Sequence, residues 1–345
     1  MSYARLLLTA LLGPPLLVGA TLCALVGWLA QLGRWFAAWD LFTHLAPVYL
    51  AAGAVAVAIG LLLLGRMRLA VVGAGLACAS AAVLLMAPEY LRSTGPAVAP
   101  GAGPRFKVVQ FNAWEGAGGA GRLVAWLNAE RPDVVVIEES NRRVREALAH
   151  AGWWSVQGRS GIMLFSRARP QNAIVPVDNR SGPMGMNGLV LATPAGNVTV
   201  LGVHVPWPTH LGLSRAQQDL LPIVRSYPAA TTILAGDFNS TPWSFARRRD
   251  DRDFGLIRRT RAVFSWPAAG HGLPFAILPI DHVYAGAGWA TVRVARGPRL
   301  GSDHYPVVVT LAPIATSDPS GPSAGLAPPL KARTRGSDRS AARAD

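Results

Sequence analysis

Three stretches without a single charge occupy most of the first ninety residues, and they restrict this chain more than anything after them. Leu6 to Gly33, Leu41 to Gly65 and Leu69 to Pro88 each reach the roughly 20 residues that a membrane-spanning helix needs. A backbone in lipid must satisfy its own polar groups, so such runs become helices. A cleaved leader would account for one run. Only Arg5 precedes the first, however, no small-x-small cleavage site follows it, and two further runs come behind. Gly13-Pro14-Pro15 is expected to kink or break the first helix near its start. Arg66 and Arg68 sit in the tight second connection, whereas the longer first connection, Arg34 to His44, carries one Arg and one Asp, with Trp35 and Trp39 as interfacial anchors. The positive-inside rule places Arg5, Arg66 and Arg68 in the cytoplasm. Three crossings of the inner or plasma membrane then leave everything after residue 88 outside the cell.

Composition explains what the remainder can be. Mean hydropathy is +0.28, and the excess lies in that first region. Residues 106–312 hold 22 Lys and Arg against 14 acids, a net +8, which favours anionic partners: nucleic acid, phosphorylated lipid or a membrane surface. Cys23 and Cys78 both lie in apolar runs, which excludes a disulfide framework or a thiolate metal site. Residues 89–105, rich in Pro, Gly and Ala, read as a short, partly extended tether, and 313–345 as a disordered tail.

Between them, strand and helix signals alternate. Strands are expected at Phe106–Phe111, Asp133–Ile137, Ile162–Ser166, Gly188–Ala192, Val198–Val205, Thr231–Ala235, Ile280–Ala285, Ala290–Val294 and Tyr305–Leu311. Helices are expected at Gly121–Glu130, Asn141–His150 and Leu213–Ser226, with a further start at Ser240-Thr241-Pro242. That mixture suggests sheet packed on sheet with helices outside.

Function is concentrated where apolar strands stop at polar residues. Ile233-Leu234-Ala235-Gly236 runs into Asp237-Phe238-Asn239, two polar side chains two apart and therefore on one side of a strand. Asn112 follows Val108-Val109-Gln110-Phe111, and Glu138-Glu139 follows Val134-Val135-Val136-Ile137. His204 ends Val200-Leu201-Gly202-Val203, Asp281-His282 adjoins Ile280, and Ser302-Asp303-His304 stands before Tyr305-Pro306-Val307. Any one of these is an ordinary turn, cap or core histidine. Six together, rich in carboxylate, amide and imidazole, suit hydrolysis of a phosphate ester around a hard divalent ion such as Mg²⁺ or Mn²⁺.

On those residues, with Gly161-Ile-Met-Leu-Phe-Ser-Arg167 added, the stretch 106–312 resembles the endonuclease/exonuclease/phosphatase superfamily, the group of deoxyribonuclease I, abasic-site endonucleases, neutral sphingomyelinases and inositol polyphosphate 5-phosphatases. The resemblance implies a deoxyribonuclease I-like four-layer α/β/β/α sandwich, here preceded by three transmembrane helices. It implies Glu139 as the principal metal ligand, Asn112 beside it as a ligand or phosphate contact, and Asp303 near the metal. Asp237 would position or deprotonate the attacking water, and Asn239 and His204 would bond the phosphate. His304 would be the second catalytic imidazole, held by Asp281. One departure is Glu138, where many members carry Gln.

Three readings of the substrate follow. A short tether after three spans favours a membrane-associated phosphoester or pyrophosphate, with Trp207 in Pro206-Trp207-Pro208 as an apolar lip over the substrate. Arg247-Arg248-Arg249, Arg252, Arg258-Arg259 and Arg261 could instead follow a nucleic-acid backbone, the mark of an extracytoplasmic nuclease. A non-catalytic anchored binding module is the third. The lipid bilayer is the expected partner, with phosphorylated lipid or nucleic acid as substrate, and no protein partner is expected.

Overall fold

The computed structural model describes residues 3–98, 104–157, 161–174, 185–208, 220–270 and 272–314. The disordered tail expected from residue 313, all but its first two residues, lies outside them, as do residues 99–103 of the tether and 213–219 of the helix expected over Leu213–Ser226. That helix is seen over 220–225.

Helices α1 (Tyr3–Leu29), α2 (Ala46–Gly60) and α3 (Gly65–Leu91) pack together at the N-terminus. With the short turns that extend the first two, they form three segments long and apolar enough to cross a membrane. Their contacts are made by small residues, Ala20, Ala24 and Gly27 against Ala56, Gly75, Cys78 and Ala81. Gly53 and Gly75 show why: a Cβ on Gly53 would come within 2.6 Å of the Gly75 carbonyl oxygen. Leu11, Leu25, Val55, Leu69 and Leu84 point outward, as lipid-facing side chains do. The prolines do not break α1, which is continuous through Pro14 and Pro15. The neighbouring helix start supports that turn, with Met67 lying over Gly13.

The remainder is the expected four-layer sandwich. One sheet has the order β11-β12-β1-β2-β4-β3, built from Trp289–Arg296, Val307–Pro313, Phe106–Asn112, Val134–Glu138, Met163–Ser166 and Trp154–Gln157. The other has the order β5-β6-β7-β8-β10-β9, built from Asn172–Ile174, Gly185–Thr193, Gly196–His204, Thr232–Asp237, Asp281–Ala285 and Ile257–Arg258. Alternation divides each strand between two cores. Val108, Val134 and Val136 face the second sheet's Val200, Ile233 and Val283, while Val109, Val135 and Ile137 face α4 (Ala120–Glu130) and α5 (Arg142–His150). On the far side Leu201, Leu234 and Tyr284 pack with Leu220, Val224 and Phe254. Strands buried on both faces read as unbroken apolar runs, which is why their sequences show so little alternation.

The helix expected to open at Ser240 starts later. It is α6 (Phe245–Asp253), because Ser244 is the residue whose Oγ accepts from the Arg247 N–H and caps it. Strands β3, β5 and β9, of two to four residues, carry too little pattern to be read in advance.

The two regions are docked. Arg258 binds Glu89 of α3 at 2.8 Å and Arg92 donates to the carbonyls of Arg258 and Thr260. Beyond, the Val98 N–H donates to the Thr291 carbonyl and the Thr291 N–H to that of Pro96, so residues 96–98 lie along β11.

Candidate functional site

Strand register assembles the polar ends. In the second sheet β7, β8 and β10 are adjacent, which puts His204 level with Asp237 and Asp237 level with Asp281. In the first sheet Asn112 ends β1 beside Glu138 at the end of β2. Because the sheets face each other, these ends meet: Asn112 Nδ2 donates across the gap to Asp237 Oδ2 at 3.1 Å. The Nε2 atoms of His204 and His304 each stand 3.7 Å from that same oxygen. Asp237 Oδ2 is therefore the hub of the site.

Glu139 lies one residue beyond β2 in the left-handed region, φ 48°. An L side chain there costs about 1–2 kcal/mol, a strain that the surrounding bonds must hold. The turn swings its carboxylate to Asn112 Nδ2 (3.0 Å) and to within 3.8 Å of His204 Nε2. Asn239 also has a positive φ, 46°, which suits Asn better. Its N–H donates to Asp237 Oδ1 at 2.8 Å, and its amide reaches His204 Nε2 at 3.3 Å. His304 Nδ1 pairs with Asp281 Oδ2 at 2.8 Å. Ser302 secures this end of the chain, donating to the Asn112 carbonyl and accepting from the His304 N–H.

Seven of the nine residues expected at the site thus come together: Asn112, Glu139, His204, Asp237, Asn239, Asp281 and His304. Asp303 stands beside His304 and adds to the charge that raises it. Its carboxylate accepts from Trp266 Nε1 at 3.0 Å, so next to the imidazole it anchors a tryptophan. Trp207 is 40 % exposed and stacks edge-on against that same Trp266, which makes it the outer member of a wall leading to His304. Asn112 turns its donor toward the two carboxylates, while its Oδ1 accepts from the Trp114 N–H.

Gln110 was not singled out in the sequence, although a Gln inside an apolar strand was a signal. Fully buried, it donates to Glu138 Oε2 (2.8 Å) and Asp281 Oδ1 (2.7 Å), bridging the two sheets beneath the hub.

The electrostatics are one-sided. Burial, and then the charges of Asp281 and Asp237, push the Glu138 carboxyl well above its ordinary range. Burial, with Asp281 next, pushes Asp237 up to about 6. Burial opposes a charge on His304, but Asp281 and Asp237 outweigh it and raise the imidazole to about 10. Three buried carboxylates, with Glu139 at their mouth, are set against one imidazolium. Raised carboxyls are the response of a site whose negative charge is uncompensated, and a divalent cation would reverse it. The residues fit such an ion. Carboxylate oxygens of Asp237 and Asp281 lie within 4.8 Å of each other, and Asn239 Oδ1 is buried without a hydrogen-bond partner among the described residues.

The arginines read as a nucleic-acid track are spent otherwise. Arg258 and Arg259 are buried, the first on Glu89 and Asp251, the second on the carbonyls of Thr94, Ala285 and Gly286. Arg248 donates to the Leu85 carbonyl and Arg261 to those of Tyr90 and Arg92. Arg247 lies over the Phe238 ring and bonds Ser240, Tyr284 and Asp250. Arg248, Arg258 and Arg261 thus hold the sandwich to α3, and Arg259 holds the chain that follows it.

The sequence model described as "Endonuclease/Exonuclease/phosphatase family" matches residues 109–304. Among solved structures, the chain is similar to an endonuclease/exonuclease/phosphatase from Bacteroides vulgatus, 14% identical with a TM-score of 0.51, covering 61% of this chain and 100% of that one. It is similar to D. rerio TDP2 complexed with single-strand DNA product, 14% identical, TM-score 0.50, with the same coverage. An endonuclease/exonuclease/phosphatase from Beutenbergia cavernae DSM 12333 is 21% identical over 61% of this chain and 72% of that one, with a TM-score of 0.47. No curated protein matches the sequence.

Proposed function

Because this chain belongs to the endonuclease/exonuclease/phosphatase family, we propose that it is a membrane-anchored phosphoester hydrolase, working with Mg²⁺ or Mn²⁺ on a phosphate carried by lipid, on the outer side of the inner or plasma membrane. The substrate class rests on one observation. The chain that leaves Asn239 passes directly into contact with the apolar helices, with Thr241 against His44 and Phe245 against Asp40. A site whose own loop touches the membrane region meets head groups of the bilayer before it meets anything in bulk solution.

Glu139 would hold the ion, with Asp237 and Asn112 beside it. A bound divalent ion polarises a phosphoryl oxygen and offsets charge that develops on it. The chain's residues do the rest. Asp237, aligned by the Asn239 N–H, accepts the proton of an attacking water at Oδ2. His204 would donate to a phosphate oxygen from Nε2, with Asn239, held by the Val205 carbonyl, placed to bond the phosphate beside it. His304, kept protonated at Nδ1 by Asp281, presents Nε2–H to the phosphoryl group and stabilises its charge. Trp207 provides an apolar lip beside it.

DNA or RNA is the second reading, favoured by the net +8 of residues 106–312. The full chain in bilayer discs, supplied with Mg²⁺ or Mn²⁺, should release phosphate products from phospholipid or polyprenyl pyrophosphate and lose that activity in EDTA. Cleavage of plasmid DNA with no lipid turnover would reverse the order of the two readings.

A further inference from the structure

We propose that Asp40 and His44, which belong to the second apolar segment, are positioning residues for Asp237 and Asn239, so that the membrane region is a working part of the active site as well as its anchor. The inference rests on the phosphoesterase reading above for the role of Asp237 and Asn239. It goes beyond that reading in what it assigns to the membrane region.

The residues between Asn239 and α6 are buried without exception: Ser240, Thr241, Trp243 and Ser244 among them are at most 2 % exposed. From the sandwich side the loop is held at one residue. His282 Nε2 bonds the Ser240 carbonyl at 2.9 Å, and Arg247 Nε donates to Ser240 Oγ at 3.2 Å. Further along, Trp243 still meets Phe264 of the sandwich, but the polar grip comes from the membrane side. The Thr241 N–H donates to His44 Nδ1 at 3.2 Å, and Thr241 Oγ1 lies 2.8 Å from the same nitrogen. A ring nitrogen that accepts from a backbone N–H carries no proton, so the Thr241 hydroxyl donates to it too. The Trp243 side chain is buried among Ala30, Ala46, Leu85 and Met86 of the membrane region.

Asp40 does what a residue of the loop would ordinarily do. Its two carboxylate oxygens accept from the N–H groups of Phe245 (2.7 Å) and Ala246 (2.8 Å), while Ser244 takes that of Arg247. The first three donors of α6 are thereby satisfied, two of them from a segment 205 and 206 residues earlier. A charged residue in an apolar run is costly and calls for a use. Here the use is visible: Asp40 and His44 clamp a loop whose first residue, Asn239, bonds both Asp237 and His204.

Small displacements of a base or a phosphate donor cost rate much more than they cost binding. With the full chain in bilayer discs, Mn²⁺ and bis(p-nitrophenyl) phosphate as a soluble probe, His44→Ala should lower kcat about ten-fold or more and leave KM within about two-fold. His44→Asn, whose side-chain oxygen can stand in for Nδ1, should recover most of the loss. Thr241→Val, a smaller change, should reproduce part of it and add nothing in the double variant with His44→Ala. Amide exchange of residues 238–247 should accelerate about ten-fold in His44→Ala and in Asp40→Ala, with β1 and β2 unchanged. Full kcat in His44→Ala and Asp40→Ala, or undisturbed exchange in that loop, would overturn the inference. An inactive wild-type chain would sink the phosphoesterase reading instead, and the exchange measurement would still decide this one.

Discussion

Two clusters of buried charge in this molecule are balanced in opposite ways. Where α3 meets the sandwich, Glu89 is bound by Arg258 and Arg92, and Arg258 also binds Asp251: two acids, two guanidiniums. Against the burial that opposes it, Arg258 holds the Asp251 carboxyl below its ordinary value. At the site, burial and mutual repulsion raise Glu138 and Asp237, with one imidazolium for three buried acids. A buried pair that compensates itself has its partners already and serves structure. A cluster left negative has bonding capacity to spare, and that capacity is what a metal-assisted phosphoesterase needs.

Neutralising the site should remove function and spare the fold. Glu139→Ala, Asp237→Ala and His304→Ala are each expected to lower turnover about 10³-fold, measured on the full chain, with unfolding temperatures at or above that of the wild type in the first two and below it in His304→Ala, which strands Asp281. Breaking the balanced cluster should do the reverse. Arg258→Ala strands the buried Asp251, leaves Glu89 to Arg92 alone and should destabilise the docked sandwich by about 3–5 kcal/mol, read from thermal unfolding. Replacing Glu89, Asp251 and Arg258 together with apolar residues of similar volume should cost much less.

The pH dependence of stability separates the clusters further. Asp237 titrates near 6 when folded and near 3.8 when unfolded, so the folded chain holds more protons in between. Stability of the metal-free protein should therefore fall as pH rises from about 4 to 6. Asp237→Asn should reduce that loss, to which Asp250, also raised to about 6, contributes as well, leaving the variant more stable than wild type at pH 7, while added Mg²⁺ or Mn²⁺ should restore the wild type alone. Asp251, depressed, behaves with the opposite sign: its contribution is present above pH 3.8 and is lost as pH falls through its lower folded value. The smallest effect expected is at the rim. Trp207→Ala should raise KM a few-fold for a substrate presented in a bilayer and leave a soluble phosphodiester unaffected.

Much of this was legible in the residues. Gly236-Asp237-Phe238-Asn239 announces a strand end, and a period-two pattern guarantees that its polar side chains share a face. Gln110 was visible as an interruption of an apolar strand, but the pair of acids it bridges comes from elsewhere in the chain. Arg247-Arg248-Arg249 looks like a solvated basic surface because charge in sequence carries no information on burial. The partners of Arg248 and Arg258, Leu85 and Glu89, lie some 160–170 residues earlier. Asp40 and His44 were likewise readable as polar residues in an apolar run, without any hint of what they grip.

The sequence by itself determined three apolar helices, strands buried on both faces and the polar groups at their ends, because length, periodicity and local turn chemistry act over a few residues. Tertiary structure alone decided that Asp237 is the hub, that Asp303 bonds a tryptophan, and that Arg248, Arg258 and Arg261 grip α3. A charge acquires its role from whichever opposite charge is buried beside it, and for Arg258 that neighbour, Glu89, lies 169 residues earlier.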